Sequence, residues 1–484
     1  MGAGLLGCFA ARALTQYELR ILVLEQREDV CTGISKANTG IVYSGCDTKP
    51  STLKTRLCVQ ANAGFDALCR DLGVPFDRCG SLMVSCGPRA EAIVRKKFEQ
   101  GKENGVPGLA LLTAEQVLEE EPNLSHTVTG GLYVPGTGTV NPWELGIAAF
   151  ENAQKNGAEF HFCEKLLHIS RQTDGFLLET EKGRYKAKAL LNCAGLAADS
   201  VRELLMQPRL RLFPSAADYL VLDDTARGFI RHVIFHEPEM QGKGLTLVPT
   251  VDGNLLVGPT EHAWDGCPGR GTTIEGLSEL HSLCREIVPA LDLAQTIRNF
   301  GSLRPNPYGV YPDENGILRQ ELRSISSFTI LEEEGLFSLI GIKTPGLTCA
   351  WELGQYTARK ITGYLGNTRS NASFDPIRPP MKTPRTMSEA EREALIRKEP
   401  EYGRLLCRCR EITCGEALDA IRRGAVTVDG VKRRTGAGMG RCQGGWCMQP
   451  VLEMLAQQRG LPPAAVTKDG ADSIILQGDN HGSG

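Results

Sequence analysis

Two close-set cysteine pairs near the C-terminus constrain this chain more than any other feature: Cys407-x-Cys409, and later Cys442-x4-Cys447 within the string GMGRCQGGWC. Thiolates spaced this tightly and flanked by glycine let short loops wrap a soft metal centre, with backbone N–H groups turned toward the sulfurs. An iron–sulfur cluster suits the spacing better than a zinc ribbon, whose knuckles favour C-x2-C. Under the cluster reading the chain carries single electrons. Cys414 lies close by but outside the pattern and reads as a buried thiol.

With 484 residues the chain exceeds one ordinary domain and implies two or three. Its 54 glycines point to many tight turns beside bound cofactors. A net charge of −3 without a long basic run argues against nucleic acid as a partner. The 17 cysteines are odd in number, scattered and preceded by no export signal, so they read as reduced thiols of a cytoplasmic protein. No apolar stretch approaches the roughly 18 residues of a membrane span. Any membrane contact is expected to be peripheral, at the inner face, or made through a partner.

Strand-like and helical periodicities alternate over the first 365 residues, the pattern of an α/β protein. Strand-like runs include Ile21–Leu24, Ala189–Leu191 and Leu336–Ile340; helical periodicity marks 51–72, 90–104, 143–156 and 349–365. From 366 to about 403 the composition shifts to a proline-rich linker, with Pro376, Pro379, Pro380 and Pro384, and then to the charged helix SEAEREALIRKEPE. The cysteine module follows to 462. The tail 463–484, ending GDNHGSG, is expected to be disordered. Lys432-Arg433-Arg434 beside the cysteines reads as a solvated face, with docking of an acidic partner as the alternative.

The N-terminus carries Gly2, Gly4 and Gly7, a helical stretch, the strand Ile21–Leu24 and, at its end, Glu25. Glycines there allow a tight turn and close approach of a pyrophosphate to a helix N-terminus. Glu25 falls where a carboxylate accepts from the ribose hydroxyls of an adenosine. Such a motif normally follows a buried strand, yet only Met1 precedes Gly2. With that first strand missing, the expectation is a natural chain that begins upstream.

These residues also carry resemblances. Leu406–Glu411, Asp429–Thr435 and Gly438–Cys447 are similar to the bacterioferritin-associated-ferredoxin-type domain. That resemblance implies a 2Fe–2S cluster on Cys407, Cys409, Cys442 and Cys447. Gly33–Gly45, Lys54–Val59, Asn192–Gly195 with Asp199, Gly253–Thr260, Gly301–Pro305 and Gly341–Thr348 resemble the FAD-dependent D-amino-acid-oxidase-like superfamily, and within it glycerol-3-phosphate dehydrogenases and L-2-hydroxyglutarate oxidases. The resemblance implies a Rossmann-like FAD-binding domain (1–75, 140–210, 325–366) with an inserted β-rich substrate domain (76–139, 211–324). A linker (367–403), a small helical iron–sulfur domain (404–462) and the tail complete the layout. The implied cofactor-binding residues are Gly2, Gly4, Gly7, Glu25, Ser35, Asn38, Gly40, Ala194, Gly195, Asp199, Gly341, Lys343, Gly346, Leu347 and Thr348.

Oxidation of a secondary alcohol sends a hydride to flavin while a base takes the hydroxyl proton. The turn Gly346–Thr348 is expected to open a helix whose N–H groups and dipole stabilise negative charge on reduced flavin, with Lys343 adding charge at the same edge. Arg304 is the expected contact to a small anionic substrate, since a guanidinium grips carboxylate or phosphate with two donors. Tyr43 stands where related sequences often place a histidine base, and a phenol is a poor base at neutral pH. It is expected to orient substrate or stack beside the ring, and His262 is the alternative base. Ser215-Ala216-Ala217 departs from the arginine or lysine followed by glycine that relatives often carry there. The leading expectation is an FAD-dependent glycerol 3-phosphate dehydrogenase that passes electrons through a 2Fe–2S cluster to a partner subunit or quinone. An L-2-hydroxy acid is the second substrate, an amine the third, and a non-catalytic electron-transfer subunit the reading from a different class.

Overall fold

The computed structural model describes residues 1–240, 244–266 and 271–477. The terminal GDNHGSG, expected to be disordered, lies outside them.

Short parallel strands and long helices build the first layer. Leu22–Leu24 pairs in parallel with Glu159–His161, and Leu190–Asn192 with Leu336–Ile340. Met1 and Gly2 lie between these two sheets. The Met1 ammonium donates to Leu191 O at 2.8 Å and Gly2 N–H to Leu24 O at 2.9 Å. The helices Leu5–Leu14, Pro142–Lys155, Gly346–Leu365 and Leu53–Leu72 cover one side over a core that includes Phe9, Phe65, Leu145 and Phe150. Gly354 explains the close crossing of two of them, because a Cβ there would lie 2.6 Å from the Phe9 carbonyl oxygen.

A nine-stranded sheet forms the second unit, running His262–Ala263, Ser215–Leu222, Leu255–Val257, Thr246–Pro249, Val233–Glu237, Ser81–Ser85, Gly130–Val134 and Ala110–Thr113, with Thr296–Arg304 paired to Ser215–Leu222. Period-two alternation sorts its side chains. Leu220 and Leu222 join the core under the helix Ile274–Ile287, while Ala217 and Tyr219 point the opposite way, toward Ile41, Tyr43 and Phe235. That opposite face looks onto the first unit.

The C-terminal unit is a two-stranded ribbon, Leu405–Cys407 with Ile412–Thr413, and the helices Cys414–Arg422, Val428–Thr435 and Met448–Arg459. Thr413 and Glu416 cap the first helix reciprocally, and Gly436 and Gly460 end the other two in the left-handed conformation. Leu406, Ile412, Val431, Val451 and Leu455 fill its core. The chain after 462 folds back onto this core, burying Val466, so the expectation of disorder does not hold for 463–477.

This unit is fastened to the rest by buried charge. Asp29 accepts from both Arg433 and Arg434, Asp469 joins Arg433 at 2.6 Å to Lys36 at 2.5 Å, and Glu151 holds Arg423 at 2.9 Å and the linker's Arg378 at 2.7 Å. Arg433 and Arg434 are thus not the solvated face their composition suggested. Spaced along a helix, they turn inward because a carboxylate waits on the neighbouring unit. The helix Glu389–Lys398 does match its charged composition, since it has no buried residue.

Candidate functional site

The glycine turn at the N-terminus is packed too tightly for side chains. Gly2 has φ of +90°, and a Cβ on it would lie 2.6 Å from Cys193 O; one on Gly7 would lie 1.9 Å from Gly2 O. Gly4 precedes the helix Leu5–Leu14 without a side-chain cap of its own, and Ser35 Oγ accepts from Leu5 N–H at 3.1 Å instead. Glu25 is buried, with its two oxygens accepting from Ala3 N–H at 2.7 Å and Arg27 N–H at 2.9 Å. From Glu25 and Ser35 a cleft of about 580 Å³ runs over Gly4, past Ala194 and Gly195, to Pro305 and Gly341. A long cleft with glycine walls and a helix N-terminus at its middle suits a dinucleotide with its pyrophosphate on the helix.

Eight of the fifteen expected cofactor residues do not line this cleft: Gly7, Asn38, Gly40, Asp199 and the group Lys343, Gly346, Leu347 and Thr348. Asn38 bonds to Ser35 O and to Gly40 N–H, which folds the segment that presents Ser35. Asp199 turns away, accepting from Ser200 N–H and Leu212 N–H at 2.8 Å each. At the far end the helix Gly346–Leu365 begins, its first N–H groups lacking helical acceptors. Thr348 Oγ1 accepts there from Tyr43 N–H at 2.9 Å.

Cations gather beside that helix start. A chain of hydrogen bonds joins two of them: Lys343 Nζ to Asn306 Oδ1 (2.8 Å), Asn306 Nδ2 to Ser215 Oγ (3.0 Å), Ser215 Oγ to Glu261 Oε1 (3.1 Å), and Arg304 Nη1 to Glu261 Oε2 (2.8 Å). Burial and then the neighbouring charge of Lys54 lower the Lys343 pKa, with Arg304 acting the same way against the pull of Glu261. Lys54 is lowered too, by burial above all. Three positive groups therefore share one region with two carboxylates, Glu261 on Arg304 and Asp47 near Lys54, and the surplus cation favours an anion placed among them.

Tyr43 stacks on Phe235 with ring centroids 5.9 Å apart and lies close to Arg304. Burial pushes its phenol far above the ordinary value, so it stays protonated at neutral pH. With Lys54, Asp47, Ser326, Thr344 and Pro345 it lines a smaller cavity of about 230 Å³. His262 does not stand ready as a base, because its Nε2 is engaged by Thr260 Oγ1 at 2.7 Å and by Asp218 Oδ2 at 3.2 Å. Lys54, Asn306 and Glu261 escaped sequence reasoning as site residues. Asn306 sits between Pro305 and Pro307, a kinked stretch just after Arg304, and was the one with a local signal.

The four expected cluster ligands come together as two thiol pairs, Cys407 with Cys447 and Cys409 with Cys442. The Cys447 thiol donates to Cys407, and N–H groups of Gly438, Arg410 and Cys409 add to this, so Cys407 is held below the ordinary thiol value and Cys447 above it. N–H groups of Trp446 and Gly444 similarly lower Cys442. Left-handed Gly438 and Gly444 make those loops possible, and a Cβ on Gly440 would lie 2.5 Å from Cys409 Cβ. Among the described residues no three of His, Cys, Asp or Glu converge as ligands of one ion. Two pairs suit two irons taking two thiolates each, which is the donor set of a [2Fe–2S] centre. Cys414 stays apart at a helix start, its thiol raised by burial.

Residues 1–360 match the family described as FAD dependent oxidoreductase, and residues 405–457 the BFD-like [2Fe-2S] binding domain. The chain is 37% identical over 480 residues to a glycerol 3-phosphate dehydrogenase of Caloramator mitchellensis, a match covering 99% of this chain and 97% of the relative. An L-2-hydroxyglutarate dehydrogenase of Escherichia coli is 28% identical over 265 residues, 54% of this chain and 62% of the relative. Among solved structures, the L-alpha-glycerophosphate oxidase of Mycoplasma pneumoniae with FAD bound superposes with a TM-score of 0.69 at 23% identity, over 78% of this chain and 96% of that one.

Proposed function

The chain belongs to the FAD dependent oxidoreductase family and carries a BFD-like [2Fe-2S] binding domain, and from this premise we propose that it oxidises glycerol 3-phosphate to dihydroxyacetone phosphate and passes the electrons to a partner protein. The observation that carries the substrate is the convergence of Lys54, Arg304 and Lys343 beside the start of the helix Gly346–Leu365, in the region a phosphate monoester needs to be cationic. Bound FAD supplies hydride acceptance and the cluster supplies one-electron transfer.

The residues divide the work as follows. Gly2, Gly4 and Gly7 admit the pyrophosphate, Glu25 takes the adenosine ribose, and Ser35, Ala194, Gly195 and Gly341 border the cofactor. Leu347 and Thr348 would present helix N-terminal N–H groups to its electron-rich edge, while Gly346 N–H closes the turn onto Lys343 O at 2.7 Å. Arg304 holds the substrate anion, and Glu261 holds Arg304 in place until the anion arrives. Lys343, held by Asn306, would add positive charge beside Arg304 when the anion is bound. Tyr43, a neutral phenol, orients the substrate hydroxyl and does not take its proton. Cys407, Cys409, Cys442 and Cys447 ligate the cluster. No helix among the described residues is long and apolar enough to cross a membrane.

An anaerobic absorbance titration of the holoprotein tests the reading. Glycerol 3-phosphate should bleach the flavin band and then the cluster. A flavin that bleaches only with L-2-hydroxyglutarate would replace the substrate, a carboxylate being an equally good guest for a guanidinium.

A further inference from the structure

The cluster site has one closed side and one open side. Cys407 and Cys447 are buried, whereas Cys409 and Cys442 reach the surface. On the open side Trp446 is 54% exposed and Met448 38%. Arg408, itself exposed, lies over the Trp446 ring at 4.0 Å from its centroid. Tryptophan, methionine and arginine are the side chains that concentrate at the centres of protein interfaces, and here they surround the two accessible thiols.

The charge around this patch has a sign. Arg441 is paired with Asp223 at 2.6 Å, but Arg298 and Arg408 have only neutral contacts among the described residues: the Gln443 amide oxygen at 3.1 Å and the Trp446 ring. Lys432 reaches the same loop, its stem beside Gly438. Against these cations stand Glu411, exposed two residues after Cys409, and Asp224 beside Arg441.

We propose that this face docks an electron-accepting protein that presents an acidic rim around an apolar centre, an inference that rests on the reading that electrons leave through the cluster. Trp446 and Met448 form the apolar contact, and Arg298 and Arg408 steer the partner and set its orientation. One electron leaves per encounter. Each two-electron oxidation of substrate therefore reduces two one-electron acceptors and releases two protons to water.

The test uses the full-length holoprotein, reduced photochemically so that loading does not depend on substrate. Oxidised cytochrome b5 serves as the acidic acceptor and cytochrome c as a basic one. Cytochrome b5 should be reduced faster, with a rate that falls about tenfold or more from low to high salt, as steered encounters do. Arg298→Glu, which touches Gln443 but no cluster ligand, should remove most of that salt dependence with unchanged cluster absorbance, and Trp446→Ala, which keeps the backbone N–H that meets Cys442, should slow transfer at every salt concentration. Equal or faster reduction of cytochrome c, or an Arg298→Glu variant as fast as wild type, overturns the proposal. So does binding to phosphatidylglycerol vesicles that Trp446→Ala abolishes, which reassigns the face to a membrane, or a dimer that the same substitution splits. A protein that reduces cytochrome b5 in this way but ignores glycerol 3-phosphate keeps the docking face and refutes only the substrate.

Discussion

Asp29 and Arg434 meet through two hydrogen bonds, Nη1 to Oδ2 at 2.7 Å and Nη2 to Oδ1 at 2.8 Å, with side chains 1% and 0% exposed. Arg433 adds a third bond at 3.0 Å. Burial opposes the Asp29 charge, yet Arg434 and then Arg433 outweigh it and hold the carboxyl below its usual value. Removing that carboxylate strands the buried Arg434 and leaves Arg433 with Asp469 alone. Asp29→Asn should cost about 3–5 kcal/mol of stability, the usual penalty for breaking a buried pair from one side. Chemical denaturation at neutral pH measures it.

The same pair dictates a pH dependence. Because the folded pKa of Asp29 is depressed, its stabilisation is complete above the unfolded value of about 3.9 and is lost as pH falls through the folded value. The stability gap between wild type and Asp29→Asn should be widest from neutral pH down to about 5 and close in stronger acid. A gap that widened on acidification would contradict this assignment.

Arg304→Ala should raise KM for the anionic substrate about 10- to 100-fold, the worth of one or two charge-assisted hydrogen bonds, with a smaller loss in kcat. Steady-state kinetics with an artificial acceptor separates the two effects. An unchanged KM for every accepted anion would mean that another cation holds it.

Tyr43 offers a gain-of-signal experiment. Since its phenol stays protonated, Tyr43→Phe should leave the shape of the pH–rate profile intact. Tyr43→His should introduce an acidic limb near an apparent pKa of about 6.5, shifted by burial and the nearby cations. A limb lost in the phenylalanine variant would make the tyrosine a proton acceptor after all.

Cys442→Ser should abolish the visible and electron-paramagnetic signature of the cluster while substrate still bleaches the flavin. Cys414→Ser should keep both, because that thiol stands apart from the two pairs. Simultaneous loss of flavin and cluster in Cys442→Ser would show that the C-terminal unit is needed for the first unit to fold.

Gly7→Ala places a methyl group against Gly2 O, and backbone cannot step aside as a side chain can. The variant should lose about 1–3 kcal/mol or more of stability. It should also purify with little FAD, as read from the flavin-to-protein absorbance ratio.

What sequence made legible was local. The glycine turn, the cysteine pairs and the alternation of strands and helices all follow from chemistry within a few residues. The partners of charges did not, because they come from far along the chain. Arg433 and Arg434 looked like solvent-facing residues until Asp29, some 400 positions earlier, took them inward. Asp199 sits in a motif beside the cleft, yet the N–H of Leu212 claims one of its oxygens. His262 looked like a spare base, but Asp218 on the adjacent strand holds it in the sheet. In each case the deciding atom lay outside any window a periodicity argument reads.

The buried ionic seams at Asp29 and Glu151 carry a consequence for anyone who would divide this protein. A flavoprotein ended after the linker would keep Asp29 but lose Arg433 and Arg434, leaving that acidic socket with nothing to fill it, and would lose Arg423 from Glu151, which keeps only Arg378. The excised C-terminal piece would carry the matching cations on a face made to be dry. Neither half is a free-standing part, and grafting this electron module onto another oxidase means transplanting its counter-charges along with its cysteines.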